Sequence, residues 1–284
     1  MTAERITVLG GAGFVGSHLV RHLRAAGQDA FVPERGDPRV FGEPLGDVVY
    51  AIGLTADFRQ RPLDTVEAHV CLLRRLLAEA DFRSLTYLSS TRVYAGAAST
   101  REDASLVVNP CEPGDLYNLS KLMGESLCLH GRRAGVKVAR LSNIVGLRPD
   151  ADLFVDQLLE EGRTRGHIVL HTAPASRKDY LWIDDAVRAL SQIARSPAGG
   201  IFNVASGEGV SGTEVLLQIE SCLDYPWSVV PNAPVWDFMP ICTERLRVEF
   251  GFAPRRFDDY FPEYLAQYRA RYHDKRHEGR KETP

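Results

Sequence analysis

Short apolar runs rich in β-branched residues alternate along the first half of the chain with longer stretches of helical periodicity. Arg5–Leu9, Asp29–Pro33, Asp47–Gly53 and Ser84–Leu88 have the length and character of strands buried in a parallel sheet. Residues 17–26 and 62–80 follow the helical period, the second with Leu72, Leu73, Leu76 and Leu77 on its inner side. Another helix is predicted over 115–133. This alternation predicts an α/β fold built on a Rossmann-type doubly wound parallel sheet, with a smaller C-terminal lobe. Residues 36–46 break the rhythm, because their glycines and prolines predict a shortened crossover without a regular helix. Farther on, Leu153–Glu161 and Gly212–Leu223 read as helices and Gly166–His171 as an edge strand.

The first strand runs directly into Gly10, Gly13, Phe14, Val15 and Gly16, with glycines three apart at a strand-to-helix turn. The first glycine permits the tight turn, the second lets a pyrophosphate approach the backbone, and the third lets helix and strand pack closely. The helix start adds free amides and a positive dipole end. A dinucleotide cofactor is therefore expected here. Where such folds read the adenosine ribose stand Glu34, suited to the 2′-hydroxyl of NAD, and Arg35, suited to the 2′-phosphate of NADP. Glu34 tips the reading toward NAD and leaves NADP open. Gly53 ends the next central strand beneath the cofactor.

Composition narrows the setting. The 284 residues, 44% hydrophobic and 25% charged, suit one large α/β unit or two joined lobes. A formal charge of −3 gives no reason to expect nucleic acid or an anionic membrane as partner. No apolar run approaches the roughly 20 residues of a membrane span. The N-terminus runs straight into a strand, which leaves no room for a secretory signal. Five scattered cysteines without a CxxC pair fit reduced thiols in a cytoplasm. No metal site is expected. His69 reads as a packed or capped histidine, and His167 and His171 lack partners at ligand spacing.

Tyr117 and Lys121 lie one helical turn apart and face the same way. An ammonium beside a phenol favours the phenolate, lowering a pKa that is about 10 in free tyrosine. A phenol tuned in this way can take a proton from an alcohol as hydride leaves the same carbon. Upstream, Ser89, Ser90 and Thr91 put hydroxyls at the C-terminal end of a parallel strand, where ligands bind in this architecture.

The glycine turn, Ser89–Tyr94 and Tyr117–Lys121 together resemble an extended short-chain dehydrogenase/reductase, within the nucleotide-sugar epimerase, dehydratase and reductase group. Val138–Gly146, Arg177–Ala186 and Ile201–Gly207 resemble later family segments, and the match runs to about Phe257. The resemblance implies a nucleotide-diphosphate sugar substrate and hydride transfer at a ring carbon, C4 by expectation. It implies Ser90 on the reacting oxygen, Tyr117 as acid/base, and Lys121 on the nicotinamide ribose. Thr91 and Asn143 would meet substrate, with Arg177, Lys178 and Arg245 as candidates for its diphosphate. Domain limits follow: 1–145 with 179–205 for the dinucleotide unit, 146–178 and 206–272 for the substrate lobe. Residues 273–284 read as a disordered tail. A homodimer through the helices starting near Asp64 and Asp115 is also implied.

Family dehydratases carry an acidic pair just after the catalytic hydroxyl; here those positions hold Thr91 and Arg92. Neither is a general acid or base at neutral pH. Elimination of water is therefore disfavoured. An NAD-dependent 4-epimerase is the first reading and an NADPH-dependent 4-ketosugar reductase the second. A non-catalytic dinucleotide-binding module is the third, opposed by the intact Ser90, Tyr117 and Lys121.

Overall fold

The structure is a computed structural model that describes residues 5–272, apart from 56, 132, 149–152 and 237. The expected tail at 273–284 lies outside the described residues. The chain divides into two compact units. The first holds residues up to Ser142, Ile183–Ala205 and Ile241–Ala253; the second holds Asn143–Trp182, Ser206–Pro240 and the segment from Pro254 onward. Residues 143–145 and 179–182, expected in the first unit, cluster with the second. Residues 241–253 cluster with the first, because their helix packs on a strand of its sheet.

In the first unit, β1 (Ile6–Leu9), β2 (Ala30–Phe31), β3 (Asp47–Tyr50), β4 (Ser84–Ser90), β5 (Val136–Leu141) and β9 (Gly200–Val204) form one parallel sheet ordered β2-β1-β3-β4-β5-β9. The order reverses direction at β1, so the C-terminal ends of β1 and β3 flank the topological switch point where such sheets bind ligands. Alternation along the strands sends Val48, Tyr50, Leu85, Tyr87, Val136 and Val138 to one face, where they meet Leu73 and Leu76 in a buried core. The opposite face carries Lys137, fully buried, whose ammonium donates to the carbonyls of Ile193 (2.7 Å) and Ala194 (3.0 Å) at the end of α7 (Ile183–Arg195). Lys137 thus closes carbonyls that the helix end leaves unpaired.

α1 (Phe14–Ala25) buries Gly16, Leu19, Val20 and Leu23, the spacing of one helical stripe, and packs along α7. Residues 36–46 do contain one turn of helix, α2 (Arg39–Gly42), pinned through Arg39 to Asp37. The helix expected at 62–80 forms as α3 (Pro62–Val66) and α4 (Leu72–Glu79), joined by a π-helical turn over Glu67–Cys71. Pro62 occupies a first-turn position, where its missing amide costs nothing. α5 (Asp115–His130) lies over β4 and β5 beside α4. α9 (Glu244–Phe250) packs on β9.

In the second unit, β6 (Asn143–Val145) pairs parallel and β10 (Gly209–Ser211) antiparallel with β8 (Arg177–Trp182). The expected edge strand is β7 (Ile168–Leu170), paired with β11 (Trp227–Val229). The unit also holds α6 (Phe154–Arg165), α8 (Gly212–Leu223) and α10 (Phe257–Tyr272). Ser211 and Glu214 start α8 with a reciprocal capping box. The unit's apolar centre is aromatic, with Trp182 stacked on Tyr260 at 5.4 Å and Phe257 on Phe261 at 4.4 Å.

Candidate active site

The glycine turn has little space to spare. Gly10 takes φ +84, and a Cβ there would stand 2.8 Å from the Ala51 backbone at the end of β3. A Cβ on Gly16 would stand 2.2 Å from the Gly10 carbonyl oxygen. Gly13, at the start of α1, is exposed and gives the helix no side-chain cap. Glu34 and Arg35 lie exposed just beyond β2.

Ser90 closes β4 and starts a 3-10 turn over Thr91–Tyr94, its hydroxyl accepting the Arg92 amide at 3.2 Å. Tyr117 and Lys121 project from α5 and are both buried. The hydroxyls of Ser90 and Thr55 both favour the Tyr117 phenolate. Burial is the strongest influence on this phenol and raises its pKa above the ordinary 10.0, opposed by those two hydroxyls and by the charge of Arg92. The phenol therefore sits above its free value, where the sequence reading placed it below, because desolvation outweighs the nearby cations.

Lys121 stands 5.8 Å from the Tyr117 ring centre and 5.1 Å from that of Tyr87, and donates to the Leu88 carbonyl at 2.9 Å. Burial lowers its pKa from 10.5 to about 7, against the charge of Glu125. The cation closest in influence to the phenol is Arg92, whose guanidinium lies 5.6 Å from the Tyr117 ring centre. Gly53 is exposed at the front of this pair. A Cβ there would come within 3.1 Å of His69 Nε2 and 3.3 Å of Lys121 Nζ.

His69 is buried on the π-helical turn and belongs to the site as a spacer. Its Nε2 accepts the Leu54 amide at 3.2 Å, and its Nδ1 lies 2.8 Å from Ser120 Oγ. Ser120 in turn donates to the Tyr117 carbonyl at 2.8 Å. These partners place the imidazole proton on Nδ1. Burial, helped by the Lys121 charge, pushes the His69 pKa down to about 2, so the ring is neutral. Its ring meets that of Tyr117 edge-on at 5.4 Å. The π turn is held from the sheet, where the Tyr50 and Tyr87 hydroxyls donate to the Ala68 (2.5 Å) and His69 (3.2 Å) carbonyls. Gly124 lets α5 approach, since a Cβ there would meet the Tyr87 hydroxyl at 2.5 Å.

Behind Lys121 runs a second buried network that sequence reasoning missed. Glu125 and Arg140 form a bidentate ion pair, Ser89 donates to Glu125 at 2.5 Å, and Arg140 donates to the Tyr94 hydroxyl at 2.6 Å. The Tyr94 hydroxyl donates to Asn203 Oδ1 at 2.9 Å. The signal in the sequence was the charge of Arg140 between the apolar Ala139 and Leu141.

In the second unit Asn143 donates to the Asp179 carbonyl at 2.8 Å, and β6 and β8 set Asn143 opposite Tyr180. Arg177 is exposed and donates to the Gly209 carbonyl at 2.5 Å; the Lys178 ammonium lies 4.0 Å over Phe154. Asp179, buried, accepts the Ser206 and Gly207 amides at 2.9 and 2.7 Å and so fixes the turn before β10. Arg245 belongs to the first unit. It clamps α9 to β9, donating to the carbonyls of Ile201 (2.7 Å) and Gly199 (2.6 Å) and to Glu249 (2.8 Å) over the Phe202 ring. Three of its five N–H donors are thus engaged within the fold. Among the described residues no cluster of His, Cys, Asp and Glu can hold a metal ion, and no helix is long and apolar enough to cross a membrane.

A profile of the NAD dependent epimerase/dehydratase family matches residues 6–205. The chain belongs to this family. GDP-6-deoxy-D-mannose reductase of Pseudomonas aeruginosa is 31% identical over 72% of this chain and 75% of its own. dTDP-glucose 4,6-dehydratase of Streptomyces griseus is 25% identical, covering 88% of this chain and 89% of its own. Among solved structures, the NAD dependent-NDP-hexosamine 5,6-dehydratase TunA, involved in tunicamycin biosynthesis, matches 94% of this chain and 98% of its own with a TM-score of 0.79. At 23% identity that likeness speaks for the fold. Family relatives thus include reductases and dehydratases that act on nucleotide sugars.

Proposed function

We propose that the chain interconverts alcohol and ketone at a ring carbon of a nucleotide-diphosphate sugar, using NAD or NADP, and that it does so without eliminating water. One observation carries this reading: Arg92 stands beside Tyr117 where elimination needs a carboxyl group. Ser90 holds the reacting oxygen by a hydrogen bond, and Tyr117 takes its proton on oxidation and returns it on reduction. Lys121, Thr55 and Arg92 set the phenol's protonation. The Gly10–Gly16 turn leads into a helix start with no side-chain cap, and its glycines leave the backbone open to close approach, which suits a pyrophosphate. The nicotinamide, when bound, accepts and supplies the hydride. Asn143, Thr91, Arg177 and Lys178 remain the proposed substrate contacts.

Epimerisation at C4 with NAD is the preferred reaction, since Glu34 at the end of β2 suits a free ribose 2′-hydroxyl. A ketoreductase is the second reading, favoured by the likeness to GDP-6-deoxy-D-mannose reductase. A homodimer through α3 and α5 is proposed with it, on the exposed Leu63 and Met123. The test is a screen pairing NAD and NADPH with UDP-, dTDP-, GDP- and CDP-sugars. An epimer appearing without net cofactor turnover supports the first reading, and stoichiometric NADPH consumption supports the second. A dehydrated 4-keto product from any sugar overturns both.

A further inference from the structure

Two arginines share the front of the tyrosine site, and the nearest acid that acts on Arg92, Asp115, is engaged by the Asn109 amide and the Asn118 side chain. The Arg59 guanidinium lies 4.6 Å from the Phe58 ring centre and that of Arg92 lies 5.2 Å from it. Phe58 is buried and packs at 5.4 Å on Tyr117. The terminal nitrogens of both arginines point at one place: a Cβ on Gly114 would stand 3.1 Å from Arg92 Nη2 and 3.5 Å from Arg59 Nη2. The two cations are therefore no farther apart than the sum of those distances. Burial and, after it, the Arg59 charge lower the Arg92 pKa, against Tyr117 and Asp115, which raise it. Arg92 donates to the Gly114 carbonyl at 3.3 Å, and among the described residues neither arginine forms an ion pair with a carboxylate.

Like charges held together beside an apolar ring cost free energy unless an anion lies between them. Guanidinium groups keep their charge at any working pH and grip a planar carboxylate through paired donors. The position also discriminates between anions. Arg92 follows β4, whereas the glycine turn follows β1, two strands away in the sheet and thus about 10 Å off. The dinucleotide pyrophosphate belongs at the glycine turn, and an anion between the arginines lies next to the phenol that serves the reacting oxygen.

We propose that Arg92 and Arg59 receive a carboxylate borne on the sugar ring, so that the substrate class is a nucleotide-diphosphate hexuronic acid. This rests on the reading of Tyr117 as acid/base of a nucleotide-sugar enzyme. In this arrangement the site uses the residue at a dehydratase's acid position as a specificity determinant.

The experiment compares UDP-glucuronic acid with UDP-glucose, and the dTDP and GDP counterparts of each, following reduction of bound NAD by nicotinamide absorbance. Wild-type protein is expected to prefer the acid by at least roughly tenfold in kcat/KM, the scale of one charge-assisted hydrogen bond. Arg59→Met is expected to cut that preference by roughly tenfold to a hundredfold, chiefly through KM for the acid, and Arg92→Met to cut it as far, with an added loss of kcat that acid and neutral sugar share. Arg92→Lys should restore part of it. Arg59 is exposed in a turn, so its replacement leaves the fold in place. Equal turnover of acid and neutral sugar by the wild type overturns this inference and leaves the proposed function standing. An acid preference unchanged in both Met variants, or a loss confined to NADP affinity, also overturns it. If no sugar of either kind reduces bound NAD and no nucleotide 4-ketosugar oxidises NADPH, the proposed function falls and takes this inference with it.

Discussion

His69 Nδ1 and Ser120 Oγ meet at 2.8 Å, joining the π turn between α3 and α4 to the helix that carries Tyr117. Through Ser120 the contact reaches the Tyr117 backbone, and through Nε2 it reaches the Leu54 amide beside Gly53. The imidazole therefore fixes the depth at which the phenol sits relative to the loop after β3. Removing it leaves the Leu54 amide without its partner, a loss of about 1–3 kcal/mol.

His69 also predicts an acid sensitivity. Its pKa is about 2 in the fold and 6.5 when free, so between those values the unfolded chain binds the proton and the folded chain does not. Stability thus rises with pH across that window and falls as pH drops below about 6.5, by up to roughly 1.4 kcal/mol per pH unit from this group. Urea unfolding at stepped pH should show a shallower acid slope in His69→Gln than in the wild type. Parallel slopes would mean that the histidine is charged in the fold.

Lys121 shows the opposition between stability and chemistry. Its pKa near 7 means that at pH 7 and below the fold holds an ammonium in a buried place. Lys121→Met is expected to abolish hydride transfer while raising the melting temperature at pH 6. That gain shrinks as pH rises from about 7 toward 10.5, because the wild-type lysine sheds its proton in the fold before it does so in the unfolded chain. A variant that melts lower than the wild type at pH 6 would contradict this account of the ammonium.

Much of this was legible in the sequence, and the reasons are local. The glycine turn, the hydroxyls after β4 and the Tyr117–Lys121 pair are each set by a few consecutive residues, so spacing alone places them. What the sequence hid depends on distant partners. The role of His69 needs Ser120 from another helix, and a π turn that no periodicity announces. Arg245 looked free as a lone arginine, yet two of its partners, the Gly199 and Ile201 carbonyls, come from another stretch of chain. The tyrosine's pKa was misjudged in direction because burial, which a spacing argument does not see, outweighs charge.

The Arg245 clamp and the Glu125–Arg140 pair give a matched stability test. Arg245→Met should lower stability by roughly 1–3 kcal/mol, from its carbonyl and carboxylate contacts, and leave KM for any nucleotide sugar unchanged. A rise in KM without loss of stability would return Arg245 to the substrate. Glu125→Gln leaves a buried guanidinium unpaired and should cost more, roughly 3–5 kcal/mol. Both are read from urea midpoints against the wild type.

The central claim is that Tyr117 carries the proton of the reacting oxygen while the glycine turn holds the dinucleotide. It is tested most directly by single-turnover reduction of NAD in Tyr117→Phe, measured beside the dinucleotide affinity of the same variant. The account predicts an affinity close to that of the wild type and a hydride-transfer rate lowered at least roughly a hundredfold, the scale of lost general acid/base catalysis. Hydride transfer at the wild-type rate in Tyr117→Phe would contradict it.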